Sequence, residues 1–127
     1  VMGHIGFTPQ YFKKFKVQGI LNKEKSKLLR QAKKNQEAGV FSMVLECINK
    51  TTAKQITESI DIPTIGIGAS AHCDGQILVT DDMLGLSGFY PKFVKKFINL
   101  NNIIELAVKK YKKDIITKNF PRNKNTF

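Results

Sequence analysis

Tryptophan is absent from this 127-residue chain, which also has only two cysteines and four prolines. Cys47 and Cys73 are too few for a disulfide framework, so free thiols in a reducing cytoplasm are expected. No apolar run approaches the roughly 20 residues that cross a bilayer; the greasiest stretch, residues 40–48, is under half that length. A membrane role is therefore not expected, and no signal-peptide pattern precedes the first apolar segment. Acidic residues are scarce, ten Asp and Glu against 21 Lys and Arg. An initiator methionine is missing too. Val1 leads directly into Met2-Gly3-His4-Ile5-Gly6, a strand already under way, which is the expectation for an N-terminally truncated sequence.

What remains is ordinary globular material. Hydrophobic residues make up 42% of the chain, which argues against disorder, and the length suits one domain and not two. The net charge of +11 invites a nucleic-acid reading, but its distribution speaks against one. Residues 1–39 hold nine basic and two acidic residues, and residues 92–127 hold ten and two. The centre, residues 40–91, holds two lysines against six acids. The lysines thus fill solvated helix faces and the tail, while the motif-bearing middle is acidic.

Strands and helices alternate. A strand over residues 1–5 precedes a helix over residues 24–38, with Leu28, Leu29 and Ala32 as its apolar stripe and Gly39 as its stop. A second strand covers residues 40–47. Thr52 and Gln55 have capping-box spacing and open a helix with Ile56 and Ile60 inward. Pro63 ends that connection. A third strand then covers residues 64–69 and a fourth residues 76–79. Pro91 suits the first turn of a helix carrying Phe93, Val94, Phe97 and Ile98. Asn101 or Asn102 caps a last helix with Ile104, Ala107, Val108, Tyr111 and Ile115 at helical spacing. Residues 118–127 read as a frayed tail. This alternation implies a parallel sheet with right-handed crossovers. Four such strands are half of a (β/α)₈ barrel, so residues 1–127 read as the C-terminal half of one barrel domain, an α/β fold.

Side chains alternate across a strand. In Ile65-Gly66-Ile67-Gly68 the isoleucines are expected to pack on helices, leaving the glycine face bare for a substrate. In the second strand Ser42, Val44 and Glu46 share one face, and Phe41, Met43 and Leu45 the other. The smaller face suits a barrel interior, which puts Glu46 inward at the C-terminal end of its strand, where barrel enzymes keep their catalysts. A carboxylate in so apolar a strand must be paired, protonated or functional; a general base and a solvent-exposed strand-end acid are both open. His4, near the end of the first strand, could donate a hydrogen bond to an anionic substrate or be structural. His72-Cys73-Asp74 cannot converge on one metal ion, and Asp81 and Asp82 suit helix capping better than Mg²⁺ binding. Gly66-Ile67-Gly68-Ala69-Ser70-Ala71 fits a dinucleotide fingerprint only formally, because a turn and not a helix follows it. Neither cysteine has a base beside it in sequence, which leaves thiol nucleophile chemistry unsupported.

Four segments together resemble the ketopantoate hydroxymethyltransferase family. They are Gly3-His4-Ile5-Gly6-Phe7-Thr8-Pro9-Gln10, Lys16-Val17-Gln18-Gly19, Val44-Leu45-Glu46-Cys47, and residues 65–83. The resemblance runs in order to about Asp114. It implies a (β/α)₈ barrel that assembles into a homo-oligomer, typically a decamer, in the cytoplasm. It further implies transfer of a one-carbon unit from 5,10-methylenetetrahydrofolate to 3-methyl-2-oxobutanoate, giving 2-dehydropantoate on the way to pantothenate. A divalent metal, usually Mg²⁺, would chelate the keto acid, with ligands upstream of Val1, so no metal ligand is assigned to this chain. By the same resemblance Glu46 is the catalytic proton acceptor and His4 lies at the bound keto acid, a substrate-binding residue. The chain departs from the family in a shorter loop between Gln10 and Lys16 and in Ser70, where a glycine is usual. Two other readings stand beside the enzyme: an inactive fragment, and a small basic nucleic-acid-binding module whose affinity would fall steeply with salt.

Overall fold

The computed structural model describes residues 1–8 and 16–127. The short loop and the Pro9-Gln10 end of the first motif lie outside the described residues. The chain divides into two compact units, Val1–Leu78 and Val79–Phe127.

The first unit is a four-stranded sheet with every pair parallel, built from β1 (Met2–Gly6), β2 (Ser42–Glu46), β3 (Thr64–Ile67) and β4 (Gly75–Gln76) in that spatial order. Helix α1 (Asn22–Glu37) connects β1 to β2, and α2 (Lys50–Ser59) connects β2 to β3. Sequential parallel strands with intervening helices form an α/β fold, consistent with half of a (β/α)₈ barrel. As expected, α1 stops at Gly39, whose φ of +84° takes the left-handed turn that ends a helix. Leu28 and Ala32 of α1 and Ile56 of α2 are buried against Met43 and Leu45 of β2. Each large apolar side chain so buried contributes about 1.5–3 kcal/mol.

Strand pairing sets the faces. Ile5 lies opposite Leu45, and Leu45 opposite Gly66; paired residues in a sheet point the same way, so all three belong to the helix-covered side. His4 lies opposite Val44, Val44 opposite Ile65, and Glu46 opposite Ile67. These form the other, inner face. The expectation for β3 is therefore inverted: the isoleucines share the inner face with His4 and Glu46, and Gly66 points toward the helices. Nor is the glycine face bare. A Cβ on Gly66 would meet the Gln76 amide oxygen at 2.9 Å and Cys73 Sγ at 3.1 Å.

Other boundaries shift for local reasons. Helix α2 starts at Lys50, capped by Asn49, whose side chain accepts from the Thr51 amide at 3.1 Å; Thr52 and Gln55 form no capping box. Instead the Thr52 hydroxyl turns away to the Gly19 carbonyl. Phe41 precedes β2 and is exposed. Strand β4 pairs earlier than expected, and Ile77 and Val79 are exposed beyond it.

In the second unit a short helix α3 (Thr80–Leu84) ends at Gly85, and a long helix α4 (Leu100–Ile116) begins after Asn99. No helix follows Pro91. A single turn, Val94 N–H to Pro91 O, is made, and the Phe97 amide then donates to Met83 O at 2.9 Å instead of to a carbonyl one helical turn back. Asn101 and Asn102 lie inside α4 and do not cap it. No residue of α4 is buried. Residues 118–127 are exposed and include a 3₁₀ turn at Asn123–Asn125. Among the described residues, no helix is long and apolar enough to cross a membrane.

Candidate active site

The C-terminal ends of β1 and β2 bring together the two residues that sequence pattern singled out. His4 Nε2 lies 3.0 Å from Glu46 Oε2, with the carboxylate side chain 17% exposed and the imidazole 37% exposed. The pair is reachable from solvent yet shielded enough for charge to count.

The backbone around this pair is constrained. Gly6 sits at φ +102°, and a Cβ there would collide with the Glu46 carbonyl oxygen and lie 2.7 Å from Ile48. Only glycine allows β1 to pass so close, and the Phe7 amide then donates to the Glu46 carbonyl at 2.8 Å. Cys47, directly after the carboxylate, has φ +50°. A non-glycine residue in that region costs about 1–3 kcal/mol and persists only where its surroundings hold it. They do: Cys47 N–H donates to Ile67 O at 2.9 Å, and Cys47 O accepts from the Gln18 amide at 2.8 Å. The Cys47 thiol is pushed up to about 11, chiefly by burial and then by the adjacent Glu46 charge. It stays neutral at physiological pH and is no nucleophile.

Lys16-Val17-Gln18-Gly19 lies across the end of β2. Gln18 pairs with Ile48 in a parallel bridge, and the Asn49 amide donates to Gln18 O at 2.8 Å. Lys16 reaches Glu24 of α1 at 3.1 Å, and that contact holds the Glu24 carboxyl below its ordinary value. A cleft of about 360 Å³ opens beside His4, lined also by Gly6, Gln18, Glu24, Lys27 and Gln31. Sequence reading gave this segment no structural task. Its signal was Gly19, whose φ of +75° marks a turn only glycine makes easily.

The His72-Cys73-Asp74 turn is structural. Asp74 Oδ2 accepts from the Thr64 amide at 2.7 Å and the Thr64 hydroxyl at 2.9 Å, which lowers its carboxyl from the ordinary value. Cys73 is buried and His72 exposed. Ser70 needs no glycine's freedom: positive φ falls on Gly68, and Ser70 Oγ accepts from the His72 amide. Asp81 and Asp82 lie in the first turn of α3 without a capping bond from either. Among the described residues no group of three or more His, Cys, Asp or Glu side chains could hold a metal ion. His4 and Glu46 are two donors at most and do not make a metal site by themselves.

Residues 1–123 match the family described as ketopantoate hydroxymethyltransferase. The chain belongs to that family. Among ketopantoate hydroxymethyltransferase relatives, the 3-methyl-2-oxobutanoate hydroxymethyltransferase of Pelagibacter ubique is 48% identical over 127 residues. Those of Thermosipho melanesiensis and Clostridium botulinum (strain 657) are 50% and 53% identical over 131 residues. All three alignments take in the whole chain and 48–50% of the relative. The chain thus spans about half the length of the curated ketopantoate hydroxymethyltransferases it matches, and both His4 and Glu46 fall within the matched segment.

Proposed function

We propose that this chain is the half of a ketopantoate hydroxymethyltransferase that carries the proton-accepting carboxylate. What supports this reading above all is the His4–Glu46 pair at the C-terminal ends of adjacent parallel strands, the end where barrel enzymes perform chemistry. In the proposed reaction a Glu46 oxygen takes the proton from C3 of 3-methyl-2-oxobutanoate, and the C3–H electron pair becomes the enolate. The enolate carbon then bonds to the methylene carbon of 5,10-methylenetetrahydrofolate as one of its two C–N bonds breaks. Water adds its oxygen to that carbon as the second C–N bond breaks, and tetrahydrofolate leaves with the nitrogens reprotonated by the proton from C3 and the second proton of water. His4 Nε2 stands 3.0 Å from Glu46 Oε2 and fixes which carboxylate oxygen faces the substrate. By family resemblance His4 also lies at the bound keto acid.

Mg²⁺ as cofactor, a cytoplasmic homo-oligomer of decamer size and the absence of nucleic-acid partners complete the proposal; they rest on family resemblance and charge distribution. The metal would polarise the keto acid. The test is deuterium uptake at C3 of 3-methyl-2-oxobutanoate, followed by NMR, in protein of the relatives' full length carrying this segment. Glu46→Gln is expected to abolish uptake while the variant still binds the keto acid. Undiminished exchange would overturn the assignment.

A further inference from the structure

We infer that the Gln18-Gly19 peptide, locked by the Thr52 hydroxyl, is the positioning element that aims Glu46 at His4. Three backbone ties converge on Cys47. Its left-handed backbone is held by β3 through Ile67 O, while the preceding Glu46 carbonyl is held by β1 through Phe7 N–H. The third tie comes from outside the sheet: Gln18 N–H donates to Cys47 O, and Gln18 O accepts from Asn49 N–H, both at 2.8 Å. The Gln18 peptide therefore brackets the turn that follows the carboxylate.

The segment is itself pinned at its next carbonyl. Thr52 is 2% exposed, and its hydroxyl donates to Gly19 O at 2.7 Å. A Cβ on Gly19 would meet Leu28 Cδ1 and Thr52 Cγ2 at 3.0 Å each, so α1 and α2 would have to give by a few tenths of an ångström, and φ +75° favours glycine as well. A residue at positive φ relaxes by rotating its peptide planes once a restraint is lost. Rotation at Cys47 turns the Glu46 side chain off the 3.0 Å contact with His4. The inner face needs no repacking for this, because Thr52 and Gly19 lie on the helix side. Thr52 acts through the backbone and touches no reacting atom.

The inference rests on Glu46 being the proton acceptor, but its test reads geometry. In ¹⁵N-labelled protein of the relatives' full length carrying this segment, His4 ring-nitrogen shifts report the contact with Glu46, and amide exchange at Gln18 and Asn49 reports the clasp. Thr52→Val keeps the shape and removes the donor; Thr52→Ser keeps the donor. Thr52→Val is expected to speed amide exchange at both positions at least tenfold and to move the two His4 nitrogen shifts toward each other, with far-UV circular dichroism unchanged. Thr52→Ser should keep both readouts near the parent. Gly19→Ala, which pushes the same peptide sterically, should reproduce the Thr52→Val pattern should the valine variant fail to fold. A looser clasp with His4 shifts unmoved overturns the inference, as does an unchanged clasp in both variants. Failure of the proton-acceptor reading would look different: C3 exchange would survive Glu46→Gln whatever the clasp does.

Discussion

Glu46 Oε2 lies 3.0 Å from His4 Nε2 although the strand pairing sets Glu46 opposite Gly6. The carboxylate leans back diagonally across the ladder to the imidazole two residues earlier in β1. Gly6 serves the same corner through the backbone: at φ +102° it lets β1 pass the Glu46 carbonyl, where any Cβ would collide.

Removing the donor isolates its share. A hydrogen bond to a charged group is worth about 1.5–3 kcal/mol, or roughly ten- to a hundredfold in rate if it matters only for aiming the base. His4→Phe in full-length protein is expected to slow C3 deuterium exchange by that factor, while His4→Gln, which can still donate, should lose less. Equal rates in parent and His4→Phe would show that Glu46 needs no partner.

Gly6→Ala should be harsher than its one methyl suggests. The new Cβ would collide with the Glu46 carbonyl and must also adopt φ +102°. Positive-φ strain and overpacking each cost about 1–3 kcal/mol, so a loss of about 2–4 kcal/mol in urea unfolding is expected. A loss below 1 kcal/mol would mean that β1 moves freely away from β2.

How much of this was readable in the residues varies by layer. The alternation of β and α elements, the buried stripe of α1 and the inward Glu46 followed from period alone. The facing of β3 did not, because Ile65-Gly66-Ile67 has a greasy side wherever it sits. Only pairing with β2 decides that Gly66 meets Cys73 and Gln76. The helix expected after Pro91 failed because the Phe97 amide is taken by Met83, fourteen residues back; a long-range bond of that kind leaves no mark on local spacing. The His4–Glu46 contact required the parallel pairing of β1 with β2, which local spacing does not show. The clasp at Gly19 was visible as a glycine but not as a neighbour of Thr52.

Cys47 should be chemically silent in the folded chain. With its thiol pushed up to about 11, only about one molecule in a thousand is thiolate at pH 8, and the side chain is buried as well. Iodoacetamide at pH 8, read by mass spectrometry, is expected to label Cys47 at least a hundredfold faster in denaturant than in native buffer. Comparable rates would show that the turn after Glu46 opens readily.

Acid stability gives a further test, through Asp74. Its carboxylate accepts both the amide and the hydroxyl of Thr64, tying the turn before β4 to the start of β3. These bonds lower its pKa on folding. A group whose folded value is depressed contributes fully above its unfolded value, near 4, and loses that contribution as pH falls through the lower folded one. Asp74→Asn keeps one acceptor oxygen but cannot be ionised, so it should cost about 1 kcal/mol at pH 7. The gap between parent and variant should then close as pH drops below about 4. Glu24, lowered by Lys16, shifts in the same direction in both proteins and cancels in the difference. A gap that stays constant from pH 7 to pH 2 would mean that Asp74 holds Thr64 through shape and not through charge.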